Sequence, residues 1–327
     1  MRSRLLFLLA ALLALPACAR SSTGPADTIG VEQVEPGAAV DASSAQQAVV
    51  DFLNGYASVG RDNGNSLMAS IAPDSSLVTW AKWLGIKAQV LEHLQGQPQA
   101  ADLIGRVKVA GLDFLQSQIS ASGKETAAVG VDASVTFTQT LNLPQPADAT
   151  FAFVGPAFLQ RTTAGWRVEE IARNGVALAN AVAAFKGDTQ SRGGLAVTLD
   201  SAFLFQGGWV FNLFVQNRSG ASGDVGQARL TLNGNGQRLV NDPLPGSLFL
   251  KAPEGTRTPE ILAFPPPSTI QGLTLDLAFR LTSGKTYAFR FDLFPLLAPK
   301  LAPGQLPSPA ATGPATPGPA TTAAAGS

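Results

Sequence analysis

The sequence predicts an α+β domain, in which helices pack on one curved antiparallel sheet, followed by an all-β sandwich. Apolar residues between residues 43 and 98 recur at the three- and four-residue spacing of amphipathic helices. Between residues 107 and 171 the apolar period shortens towards two, and from residue 195 to residue 293 only short strand-like runs occur. The first two patterns together favour helices layered on a sheet, and the third favours a sandwich.

Helices open the first predicted domain, which spans residues 43–187. Ser43 is a suitable N-cap for an amphipathic helix that continues to Tyr56. A second helical stretch is predicted over residues 66–71, and a long helix is predicted after Ser76. Gly96 and the proline that follows it are expected to end the long helix.

Strands joined by hairpins follow these helices within the first domain. Ser122–Lys124 and Thr163–Gly165 have turn composition and lie between runs of alternating apolar residues. The apolar stretch from Val176 to Phe185 predicts one further helix at the end of the domain. The glycine-containing segment from residue 187 to residue 194 is the predicted domain boundary.

The closing hairpin of the first domain carries a family resemblance. Helices followed by a meander that ends in Phe158–Arg161 and Gly165–Val168 are similar to the nuclear transport factor 2-like fold. This resemblance implies a cone-like domain with an internal pocket, which relatives use for catalysis, for binding or for assembly. An enzyme of this type would place acid–base groups inside the cone. The candidates for such groups are His93, Asp113, Asp132 and Glu169. For each candidate, the favoured interpretation is a residue that faces solvent.

The second predicted domain, residues 194–295, contains seven or eight short strands with turn residues between them. The strand end Phe214–Ser219 resembles the corresponding segment of immunoglobulin-like domains in bacterial surface lipoproteins. The resemblance implies an immunoglobulin-like β-sandwich. No second cysteine is available for the disulfide that some of these domains contain.

Composition excludes several classes of function. Only 14% of the residues are charged and the formal net charge is zero, so a nucleic-acid partner is not expected. Cys18 is the single cysteine and His93 is the single histidine, so neither a zinc motif nor a redox cysteine pair can form. No Gly-x-Ser-x-Gly elbow or phosphate-binding glycine-rich loop occurs. We therefore expect no cofactor, no metal site and no catalytic residues.

The N-terminal segment has the anatomy of a signal peptide. Arg2 and Arg4 precede an apolar stretch that is too short to span a bilayer. The residues Leu15–Cys18 resemble the lipobox of bacterial lipoproteins, in which the cysteine is lipidated and becomes the mature N-terminus. The resemblance implies a signal peptide over residues 1–17 and an acylated Cys18. The alternative is an ordinary signal peptide with an incidental cysteine.

Two segments outside the predicted domains have the composition of unstructured chain. Residues 18–42 are rich in glycine, proline, serine and acidic residues and predict a flexible tether. Residues 301–327 consist almost wholly of proline, alanine, glycine, threonine and serine and predict a disordered tail.

These observations favour an extracytoplasmic lipoprotein with a non-catalytic binding, adaptor or scaffolding role at the cell envelope. Its expected partners are the membrane, through the lipid anchor, and an envelope protein or glycan. Two alternatives stay open. One is a carrier of a hydrophobic small molecule in the cone pocket, and the other is a hydrolase that uses that pocket.

Overall fold

The computed structural model describes residues 41–140, 145–205, 207–234, 237–244 and 247–299. Antiparallel strands account for 53% of these residues and helices for 22%. The predicted fold class, a cone-like α+β domain followed by an immunoglobulin-like sandwich, is therefore wrong, because the molecule consists mostly of antiparallel β-sheets with few helices. The predicted signal peptide, Cys18, the tether up to residue 40 and the tail 301–327 lie outside the described residues.

In the described chain, four α-helices and one 3-10 helix precede the sheets: α1 (Ala42–Ala57), α2 (Val59–Asp62), α3 (Asn65–Ala69), α4 (Leu77–Gln95) and the 3-10 helix Ala101–Leu103. The carboxylate of Asp41 accepts the N–H groups of Ser43 and Ser44, so Asp41 is the N-cap of α1 rather than Ser43. The long helix predicted after Ser76 is confirmed as α4. It ends at Gly96, whose left-handed φ of 61° suits a residue without a Cβ.

The first sheet has five antiparallel strands in sequence order: β1 (Gly105–Ile119), β2 (Glu125–Gln139), β3 (Ala147–Thr162), β4 (Gly165–Arg173) and β5 (Val176–Ala177). Burial alternates along β2, where Val129, Val131 and Val135 are buried and Asp132 is exposed. The buried side chains of β2 form the inner face of the sheet, and α1 contacts β1, β2 and β4. The other face of the sheet is the outer face.

The helix predicted over Val176–Phe185 is wrong. Asn174 and Gly175 have φ values of 49° and 76°, as a two-residue hairpin turn requires, and they connect β4 to β5. After the short 3-10 helix Ala179–Ala181, the chain continues as β6 (Val182–Arg192), which pairs with the next strand along the chain. We call the described residues before Val182 the first part of the molecule and those from Val182 onwards the second part. The chain thus leaves the first sheet before residue 182, ahead of the boundary predicted at residues 187–194.

Strands β6 to β14 form two further antiparallel sheets, in the orders β12-β8-β7-β6 and β10-β9-β13-β14, with β11 paired to β9. Their bounds are β7 (Leu195–Phe205), β8 (Gly208–Asn217), β9 (Gly223–Gly234), β10 (Gln237–Asn241), β11 (Lys251–Ala252), β12 (Arg257–Phe264), β13 (Leu273–Leu281) and β14 (Thr286–Asp292). The short helix α5 (Phe294–Leu297) follows β14. One hydrophobic core contains side chains from both sheets, among them Phe211, Phe264 and Phe291.

Side chains join the two sheets at their edges. At one side, Gln190 of β6 both donates to and accepts from the backbone of Arg290 on β14. At another edge strand, β12, the Glu260 carboxyl accepts the N–H of Leu250 at 3.1 Å. Since unpaired edge groups are otherwise open to other chains, the Gln190 bonds also protect the backbone of β14 at Arg290.

Helix α4 connects the first part of the molecule to the second. The Trp83 indole packs on the ring of Phe214, with centroids 4.8 Å apart, and its Nε1 donates to Asp200 Oδ2 at 2.6 Å. Lys82 lies 3.9 Å from Asp200, and the Arg257 guanidinium lies 3.8 Å from the centroid of Phe214. These contacts agree with the inclusion of all described residues in one compact unit.

Candidate functional site

The four candidate acid–base residues do not converge in the interior. His93 is exposed near the end of α4, and Asp113 and Asp132 are exposed on the outer face of β1 and β2. Glu169 is half-buried on β4, where it forms an ion pair with Lys124 at 3.1 Å. The positions of His93, Asp113 and Asp132 agree with the interpretation that these residues face solvent.

Aromatic rings fill the interior of the first sheet, where the resemblance implied a pocket. The Tyr56 ring lies 5.0 Å from Phe137, 5.1 Å from Trp80 and 5.7 Å from Phe153, measured between centroids. Burial raises the pKa of the Tyr56 hydroxyl. That hydroxyl accepts a hydrogen bond from Arg173 Nη1 at 3.1 Å. This region is therefore a packed core, with one guanidinium held against its aromatic rings.

The outer face of the first sheet carries apolar side chains that nothing in the described structure covers. We call the exposed residues Leu115, Val154, Pro156 and Phe158 the outer patch. Leu115, Val154 and Phe158 are 56%, 56% and 46% exposed. The register places Phe158 opposite Ala128, Pro156 opposite Gly130 and Val154 opposite Asp132.

The residues of β2 that lie within the outer patch have small side chains or none. A Cβ added at Gly130 would lie 3.5 Å from Leu115 Cδ2, so the Leu115 side chain rests over Gly130 on the outer face. Ala128 and Gly130 thus lie between the larger apolar side chains of β1 and β3, and the exposed carboxylates of Asp113 and Asp132 border the patch on the same face. Clustered apolar exposure of this kind marks interaction sites more often than singly scattered residues do.

A groove of about 540 Å³ adjoins the outer patch, and Phe158 belongs to both. One wall is formed by neighbouring positions of β1 to β4, and the other by Asp74, Ser75 and Ser76 before α4. Ser75 Oγ donates to the carbonyl of Glu169 at 2.6 Å, and Ser76 Oγ donates to the carbonyl of Ala179 at 2.9 Å. We call this feature the acidic groove, because its ionisable lining residues are Asp74, Glu169 and Glu170.

Glu170 has a structural role in the acidic groove. Its carboxylate accepts the N–H of Ile171 at 2.7 Å and the N–H of Ala179 at 3.0 Å. Burial raises the pKa of Glu170, and the hydrogen bonds from the backbone N–H groups oppose that rise. The carboxylate thereby holds the 3-10 helix through which the chain crosses to the second part. Asp74 contributes negative charge at the rim, whereas the charge of Glu169 is paired with Lys124.

A second groove, of about 730 Å³, lies along helix α1, and we call it the α1 groove. Its lining comes from α1, α2, α3, the start of β1 and the start of β4. The lining residues with hydrogen-bonding side chains are Asp51, Asn54, Ser58, Arg61, Ser66, Ser70, Trp166 and Arg167.

Sequence reasoning assigned Phe158 to a hairpin but did not identify it as a surface residue. A signal was present, because Val154, Pro156 and Phe158 share one alternation phase of β3 while Phe153, Ala157 and Leu159 share the other. A strand with two apolar phases has an apolar outer face. Which of the two phases the helices cover could not be read from β3 itself.

Comparisons with known proteins give little guidance. No protein-family model matches the chain, and no curated protein matches it. Among solved structures, the crystal structure of the intermembrane space region of the chloroplast protein ARC6 aligns with 41% of this chain and 95% of its own chain. The identity is 14% and the TM-score is 0.30, so this similarity supports no assignment of fold or function.

Proposed function

We propose that this chain is an extracytoplasmic lipoprotein, anchored to a membrane through Cys18, that binds a partner protein of the cell envelope as an adaptor or scaffold. The observation that carries the binding role is the outer patch beside the acidic groove. The role needs no catalytic residue and no cofactor.

The anchor is proposed from the N-terminal sequence. Arg2, Arg4 and the apolar stretch lead directly to Leu15–Cys18, in the order that lipoprotein export and acylation use. Each acyl CH₂ group buried in lipid contributes about 0.8 kcal/mol, and two chains suffice for stable anchoring. Among the described residues, no helix combines the length and the apolarity needed to cross a membrane.

The side chains of the outer patch and of the acidic groove indicate which kind of protein surface they would bind. Leu115, Val154 and Phe158 would be covered by apolar side chains, while Asp74 at the adjoining rim would favour a basic group beside it. We therefore propose a partner protein that presents an apolar anchor next to a lysine or arginine.

Fractionation of the native cells tests the anchor. The wild-type chain should be recovered with membranes, and mass spectrometry should find a diacylglyceryl-modified Cys18 at its N-terminus. A Cys18→Ala variant should be recovered in the soluble extracytoplasmic fraction. An unmodified Cys18 in the wild-type chain, or membrane recovery of both chains, would contradict the anchor.

Paired substitutions test the binding surface. Phe158→Ser removes the ring shared by the outer patch and the acidic groove, and Phe249→Ser removes a similarly exposed ring outside both. With the anchored wild-type chain as bait, we expect a reproducible partner that Phe158→Ser loses and Phe249→Ser retains. Equal capture by both variants would refute the assignment of the surface.

A further inference from the structure

The α1 groove combines polar side chains with a small-residue lining. Asp51 and Asn54 of α1, Arg61 of α2, Ser66 of α3 and Arg167 of β4 all line it. Its other lining residues, apart from two more serines and one tryptophan, are alanines, glycines and one valine. A groove with this lining offers many hydrogen bonds and little apolar area, which suits a hydrophilic ligand.

The lining of the groove includes a tryptophan whose buried N–H donor has no acceptor among the described residues. Trp166 is only 3% exposed, and its Nε1 has no hydrogen-bond partner among the described residues. A buried donor in this state is costly, and an acceptor from a ligand would remove that cost. The unsatisfied indole N–H therefore points to an oxygen that the described chain does not supply.

Positive charge surrounds the same tryptophan. Arg167 Nη1 donates to the Trp166 carbonyl at 2.8 Å, and the Arg161 guanidinium lies 5.3 Å from the centroid of the Trp166 ring. Within the described ranges, neither arginine forms an ion pair with a carboxylate, and neither does Arg61. Guanidinium donors that lack anionic partners favour a ligand with an acidic oxygen group.

The remaining lining residues narrow the class of ligand. Asp51 and Asn54 can accept hydrogen bonds, and a ligand with several separate hydroxyl groups suits these acceptors better than a small inorganic anion does. The groove has no exposed aromatic face on which a nucleobase could stack, since Trp166 is buried. We propose that the α1 groove binds an anionic saccharide, whose acidic group lies near Trp166 and Arg167 and whose hydroxyl groups bond to Asp51 and Asn54.

The test measures binding of three probes to the full chain by calorimetry and tryptophan fluorescence. The probes are a hexasaccharide of alternating glucuronate and N-acetylglucosamine, the neutral hexamer of N-acetylglucosamine, and inorganic phosphate. We expect the acidic hexasaccharide to bind at least about tenfold more tightly than the neutral one, because only it pairs with the guanidinium groups. No binding of the acidic hexasaccharide at millimolar concentration, equal affinity for both hexamers, or binding of phosphate alone would overturn the proposal.

Variants locate the site. Arg167→Gln should weaken binding of the acidic hexasaccharide about tenfold or more, whereas Arg218→Gln, at an exposed arginine outside the groove, should leave it unchanged. Trp166→Phe keeps an aromatic ring but removes the N–H, so binding should weaken and the fluorescence change on binding should be reduced. Circular dichroism checks that each variant is folded. Equal losses with Arg167→Gln and Arg218→Gln would show general charge attraction and would overturn the site. None of these measurements depends on Cys18 or on the outer patch.

Discussion

Glu260 gives the stability of this protein a specific dependence on pH. Its side chain points into the core of the second part from the edge strand β12 and is 0% exposed. Oε2 accepts the N–H of Leu250, and Oε1 has no partner among the described residues. Burial raises the pKa of Glu260 from 4.5 to about 8; the Leu250 N–H opposes this rise, and the charge of Asp224 adds to it.

The direction in which stability changes with pH follows from the difference between the Glu260 pKa values of the folded and unfolded states. Because the pKa is higher in the folded state than in the unfolded state, the folded chain holds the proton more tightly. The stabilisation of the fold by the proton on Glu260 is complete below pH 4.5 and is lost as the pH rises to about 8. At about 1.4 kcal/mol per pKa unit, the whole loss amounts to roughly 5 kcal/mol.

Glu260→Gln should remove this pH dependence, because the amide oxygen can still accept the Leu250 N–H but does not ionise. Urea unfolding between pH 4 and pH 9 should show the wild type losing stability relative to the variant as the pH rises. Glu254→Gln is the matched control, since Glu254 is exposed and accepts the N–H of Gly220. The reasoning is refuted if the wild type and Glu260→Gln have parallel pH profiles.

Three further predictions, two of them with a matched control substitution, test the packing described above. Gly85→Ala would place a Cβ 2.2 Å from the carbonyl oxygen of Asn63 and should cost several kcal/mol in urea unfolding. Gly111→Ala meets nothing within 4 Å and should be neutral or should stabilise by up to about 1 kcal/mol; an equal cost for both would contradict the predicted clash at Gly85. Trp83→Phe keeps the contact with Phe214 but loses the hydrogen bond to Asp200, and should destabilise by about 1–2 kcal/mol; an unchanged unfolding midpoint would mean that this bond does not contribute. Phe158→Ser should unfold within about 1 kcal/mol of the wild type, whereas Phe153→Ser, which opens the buried aromatic core, should cost more than about 3 kcal/mol; similar costs would make the outer patch part of the core.

Local patterns in the sequence predicted individual elements better than their assembly. The periodicity before Gly96 predicted α4, and the short strand-like runs after residue 195 predicted strands such as β13 and β14, whose Phe279 and Phe289 are buried. These features depend on neighbouring residues. The pairing of β9 with β13 does not, because it joins segments separated by β10, β11 and β12.

The predicted fold class was wrong at a local apolar run that fits either a helix or a strand. The stretch Val176–Phe185 is as apolar as a buried helix, but the Asn174–Gly175 turn before it favours a hairpin. In the structure the end of this stretch belongs to β6, which pairs with β7. Neither apolarity nor length distinguishes a buried helix from a strand in so short a run.

The candidate site was predictable only in part. Glu169 was selected from the sequence and lines the acidic groove, but the outer patch depends on which face of the first sheet α1 covers. The unsatisfied N–H of Trp166 likewise exists only once the surrounding chain is in place. Such features arise from tertiary contacts, which the periodicity of a strand does not contain.

Site-specific photo-cross-linking in the native cells tests the central claim most directly. A photoreactive phenylalanine replaces Phe158 in the acylated, membrane-bound chain, and a second chain carries it at Phe249 as the control. Our account predicts one discrete protein adduct from position 158, formed only when Cys18 is present, and no such adduct from position 249. The same adduct from both positions, or no adduct from position 158 on a chain with acylated Cys18, would contradict a binding role for this surface.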